Sequence, residues 1–137
     1  MKRTIAAFAL AGLALGLAGC TTGFGEGPDI FDREQTAEDT LPAEAEVGEL
    51  DASSTRYVGV DSADNEYWVG RPTGTRDTCI VLVAPDPAAS ASACGGGMPS
   101  LTNPAGVTVE WASSPNRLSP DDAELIGDTL LVAVPAG

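Results

Sequence analysis

The seven residues Thr78-Cys79-Ile80-Val81-Leu82-Val83-Ala84 constrain this chain more than any others. A strand turns alternate side chains to opposite faces, and here both faces are apolar. Such a strand must be covered on both sides and belongs at the centre of a sheet. Arg56-Tyr57-Val58-Gly59-Val60 and Glu66-Tyr67-Trp68-Val69-Gly70 flank the turn cluster Asp61-Ser62-Ala63-Asp64-Asn65 and read as a hairpin. The run from Gly106 to Trp111 alternates, with Val107, Val109 and Trp111 on one face. Thr129 to Val134 reads as a last strand, stopped by Pro135. Ser119-Pro120-Asp121-Asp122 offers a capping serine, a first-turn proline and acids, which predicts one short helix to Leu125. Pro85 to Gly97, which holds Cys94, reads as a small-residue loop. The expectation for residues 55–137 is a mainly β domain: a small antiparallel sheet of about five strands with one short helix.

The beginning of the chain is of another kind. Lys2 and Arg3 precede an uncharged apolar stretch, Ile5 to Ala18. A membrane span needs about 20 residues, so this stretch suits a signal-peptide h-region better. Ala18 and Gly19 are small, as a processing site requires. Leu17-Ala18-Gly19-Cys20 resembles the lipobox of bacterial lipoprotein precursors. The resemblance implies that residues 1–19 are a signal peptide that is removed. It also implies that the Cys20 sulfur receives the lipid, and that the acylated (palmitate-type) chain is held on the extracytoplasmic face of the cell membrane. A thiolate is the nucleophile such a lipid transfer needs. Each buried CH₂ of an acyl chain adds about 0.8 kcal/mol of membrane affinity. The later pattern is similar to small actinobacterial exported lipoproteins. The residues that carry this likeness are Arg56-Tyr57-Val58-Gly59, Tyr67-Trp68-Val69-Gly70, Thr78-Cys79-Ile80-Val81-Leu82, Ser92-Ala93-Cys94-Gly95 and Gly106-Val107-Thr108-Val109. Those proteins bring no established activity with them.

Charge narrows the function. Of 7 basic residues, Lys2 and Arg3 leave with the signal, so five arginines face 20 acidic residues, a formal charge of −15. No basic patch is available for phosphates, which argues against nucleic acid as a partner. The chain has no histidine. A His-based general base, a Ser-His-Asp triad and a His-containing zinc site are therefore excluded. No cofactor or metal is indicated. Carboxylate-only chemistry stays open.

Residues 20–54 carry ten acids against the single base Arg33 and read as a flexible acidic tether between anchor and domain. Cys79 and Cys94 are the cysteines left after Cys20 is acylated. In an oxidising compartment they permit one intramolecular disulfide. Closing a loop of roughly 15 residues is worth about 3 kcal/mol. The rival is a reactive Cys94 thiol beside Gly95-Gly96-Gly97. Tyr57, Tyr67, Trp68 and Trp111 are candidate binding residues, because exposed aromatics on a sheet make binding hot spots. Tyr67 and Trp68 must point to opposite faces. Arg71 and Arg76 are rare positive points where an anion could bind. These features favour a cell-surface accessory or binding module whose partner is an envelope protein or a wall polymer. Two alternatives are a carboxylate-based cell-wall hydrolase and a structural coat with no discrete ligand.

Overall fold

The computed structural model describes residues 29–45, 47–48, 50–115 and 118–137, so the expected leader and Cys20 lie outside the described residues. Among the described residues there are eight strands: β1 (Arg56–Val60), β2 (Glu66–Gly70), β3 (Thr78–Val83), β4 (Ala91–Gly95), β5 (Leu101–Thr102), β6 (Thr108–Trp111), β7 (Glu124–Ile126) and β8 (Leu130–Ala133). They form two antiparallel sheets of four strands, ordered β1-β2-β3-β4 and β5-β6-β8-β7. The sheets face each other across one core, as in a β-sandwich.

Two-residue alternation decides what enters that core. In the first sheet the inward rows are Val69-Ile80-Ala93 and Tyr67-Leu82-Ala91. In the second they are Leu101-Val109-Val132 and Trp111-Leu130-Ile126. The β3 run is buried on both faces: Ile80 and Leu82 point inward, and Val81, on the outer face, is still 2 % exposed.

The mainly β expectation holds, and the finer one is corrected. All five expected strands form, but three more join them, and there are two sheets rather than one. The expected loop holding Cys94 contains β4, whose Ala-Ser-Ala-Cys-Gly sequence has little intrinsic β preference. It is held by its register with β3 and by the Cys79–Cys94 disulfide, which joins directly opposed residues with Cα atoms 4.0 Å apart. The short helix expected at Ser119–Leu125 is not formed. Asp122 N donates to Ser119 O, giving a single turn, and the chain then pairs Glu124–Ile126 with β8. Burial of Ile126 against Leu130 and Trp111 outweighs the local capping signal.

The described part of the expected tether is built into the domain. Ile30 and Phe31 pack against the core, and Phe31 meets Trp111 at a ring separation of 6.5 Å. Asp39 is 1 % exposed. Leu50 makes an isolated bridge with Pro72 and covers Gly70, where a Cβ would come within 2.9 Å of a Leu50 methyl. The segment thus lies along the outer face and the β1 edge of the first sheet. Its acids had suggested a chain repelling itself, but Arg33 and backbone amides neutralise the buried one.

Candidate functional site

The candidate aromatics fall on the two faces of the first sheet and in the second. Tyr67 points inward and is wholly buried; its hydroxyl donates to Asp61 Oδ2 at 2.7 Å. Trp111 is 1 % exposed, in the core of the second sheet. Neither can meet a partner while the sandwich is closed. Trp68 points outward, opposite to Tyr67 as alternation requires, yet the N-terminal segment covers it. Its Nε1 donates to Glu38 O at 3.4 Å, and it is 5 % exposed. Tyr57 is half-buried and packs on Trp68 with ring centroids 5.0 Å apart. Arg71 lies 4.3 Å over the Phe31 ring, a cation–π contact that holds the N-terminal segment to the domain. Arg76 is exposed on the loop between β2 and β3.

Residues the sequence did not single out organise this face. Asp39 receives both guanidinium nitrogens of Arg33, at 2.6 and 2.7 Å. It also accepts from Thr36 N at 2.6 Å and Tyr57 N at 2.7 Å. Arg33, followed by the backbone donors, holds its carboxyl far below the usual aspartate range against the opposing effect of burial. Arg33 Nη2 also donates to Tyr57 O at 3.3 Å, so the ion pair seals the edge of β1. The signal for this was local: Thr36-Ala37-Glu38-Asp39 has the spacing of a capping box. Asp61 is a second buried carboxylate. Burial raises its pKa, but donors from Asn65, Tyr67 and Ala63 outweigh this and leave it lowered.

Beside β4 the N-terminal segment stands off the sheet and leaves a groove of about 390 Å³. Ala43, Glu44 and Val47 form one wall; Val81, Ser90 and Ser92 form the floor and the other. Glu44 is its one charged side chain among the described residues. Ser90 Oγ is engaged with Ala84 N at 3.0 Å, whereas Ser92 is exposed.

Among the described residues, no group of three or more Cys, Asp or Glu is placed to hold a metal ion. Nor is any helix among them long and apolar enough to cross a membrane. Comparison with protein-family models, with curated proteins and with solved structures found no match.

Proposed function

We propose that this chain is a surface lipoprotein, acylated at Cys20 and held on the extracytoplasmic face of the membrane. There it acts as a non-enzymatic accessory or binding module for an envelope protein or wall polymer. The observation that carries this reading is the use made of the buried carboxylates. A general acid in a glycosidase needs a raised pKa and a second carboxylate about 5 to 9.5 Å away across a cleft. Asp39 and Asp61 have lowered pKa values instead, each saturated with donors that tie loops to the sheet. Buried Glu110 accepts from Leu118 N at 3.1 Å and fixes a loop in the same way. These carboxyl groups serve the fold, and among the described residues the groove beside β4 is lined by one carboxylate, Glu44.

Mass spectrometry of the protein from its native host tests the anchor. The expected product begins at residue 20 and carries acyl chains; a free Cys20 thiol or a retained leader overturns it. Incubation with cell-wall fragments tests the non-enzymatic role. Turnover that disappears in Glu44→Gln would establish the wall-hydrolase alternative instead.

A further inference from the structure

We infer that the free edge of β4 is an interaction surface that takes an extended, basic peptide segment of a partner protein as an added strand. This deepens the binding-module reading and rests on it. Among the described residues β4 ends its sheet and pairs with β3 alone. The 4.0 Å Cα separation of Cys79 and Cys94 marks theirs as a narrow pair, the class without mutual backbone hydrogen bonds. Cys94, and by alternation Ser92, therefore direct their backbone N–H and C=O away from β3. Both residues are exposed, and among the described residues no backbone partner occupies those groups. The chain leaves β4 toward the inner face, where Gly97 O accepts from Thr78 Oγ1, so the return loop turns away from this edge.

The other edges are closed or short. Arg33 and Asp39 bond the outward amide and carbonyl of Tyr57 on β1. β7 has three residues and lies against β1, and Ser62 N of the turn after β1 donates to the Glu124 carboxylate. β5 has two residues. Natural edges are commonly blunted by a proline, a lysine or an inward charge. Ala91-Ser92-Ala93-Cys94-Gly95 has none of these. The disulfide holds it firmly against β3, so little ordering is required when a partner binds. Backbone pairing supplies affinity in strand addition, and pockets for alternate side chains supply selectivity. The groove beside Ser92, with Glu44 on its wall, is such a pocket for a cationic side chain. A second copy of this chain is disfavoured as occupant, because the formal charge of −13 would oppose its own image.

The test uses the full chain in neutral detergent with the synthetic peptide Arg-Val-Arg-Val-Arg-Val-Arg as probe. Saturable binding is expected, with Glu-Val-Glu-Val-Glu-Val-Glu bound far more weakly. Amide exchange at Ser92 and Cys94 should be fast in the free protein and slow with the probe; Ala93, paired to β3, should be slow in both. Ser92→Pro removes an outward donor without touching the β3 ladder and should weaken the probe about tenfold or more. Glu44→Arg should reverse the preference between the two peptides, and it probes the same surface if the proline variant does not fold. Probe binding that ignores Ser92→Pro and leaves the Ser92 and Cys94 amides unprotected is mere charge attraction and overturns the inference. So does a dimer that dissociates on Ser92→Pro, which makes the occupant a second copy. If partner capture from native membranes survives Ser92→Pro, the edge is refuted while the binding-module reading stands. Loss of the acyl anchor refutes that reading without touching the edge.

Discussion

Asp39 shows how much a single carboxylate can organise. It joins Arg33 to the β1 edge and closes the turn that begins at Thr36. Because its folded pKa is depressed, the unfolded chain takes up the proton first as the medium is acidified. The stability it contributes is present above the ordinary aspartate value of about 4 and is lost as pH falls toward the lower folded value. Asp39→Asn should lose about 3 kcal/mol at neutral pH and show a flatter acid slope in urea-denaturation midpoints. An unchanged slope would remove Asp39 from this role. Tyr67 works in the opposite direction. Burial, and then the Asp61 carboxylate, push its phenol well above the ordinary value. Its contribution is complete below about pH 10 and declines as pH rises beyond that. In Tyr67→Phe, denaturation midpoints between pH 9 and 11 should fall less than in the parent. One hydrogen bond is missing there, a cost of about 1 kcal/mol.

At the scale of elements, the turn between β7 and β8 locks the two sheets together. Gly127 and Asp128 both have positive φ, 53° and 55°, as a type I′ hairpin turn requires. Gly127 also lies against β1: a Cβ there would come 2.3 Å from Val58 O. Gly127→Ala must therefore move backbone rather than a flexible side-chain tip, and should lower stability by about 2 kcal/mol or more, read from thermal unfolding. Full retention of the melting temperature would show that β1 and β7 are free to separate. This part of the chain also shows what its sequence conceals. Strands β1, β2, β3, β6 and β8 were legible because valine, isoleucine, leucine and aromatics recur in them at a period of two, above all in Thr78–Ala84. β4 and β7 were not. Ala91 and Ala93 are too small to mark an inward face, and Ser119-Pro120-Asp121 is an equally good start for a turn or a helix. Only the partners, Cys79 for one and Leu130 for the other, decide, and they lie 15 residues and a hairpin away respectively. The candidate aromatics were legible as paired opposites across β2. Their cover was not, because it comes from a segment whose acidity resembles that of a solvated chain.

For the whole molecule, that cover changes how far the domain can stand from a membrane. A free tether over residues 20–54 would reach at most about 120 Å when fully extended; from Cys20 to Ile30 the limit is about 35 Å. If Cys20 carries the lipid, Ile30 stays within that shorter distance of the bilayer surface and the β4 edge lies about three strand spacings beyond β1, so a partner must come from the membrane or the adjacent wall. The difference rests on whether residues 30–54 stay docked, which Arg33, Asp39, Phe31 and Leu50 secure together. A glutamate-specific protease reads it directly. Glu34 and Glu38 are exposed, but their backbones are held on either side by the Arg33–Asp39 pair and by the Glu38 carbonyl, which accepts from Trp68 Nε1. In the parent chain, cleavage after these two residues should be slow compared with global unfolding in denaturant. Asp39→Ala should open both sites while the disulfide-stapled sheets stay folded by circular dichroism, because local release needs far less free energy than loss of the core. Rapid cutting at Glu34 and Glu38 in the parent would mean that the segment leaves the sheet readily. The longer reach would then be restored, and Tyr57 and Trp68 would be uncovered as a second face for a partner.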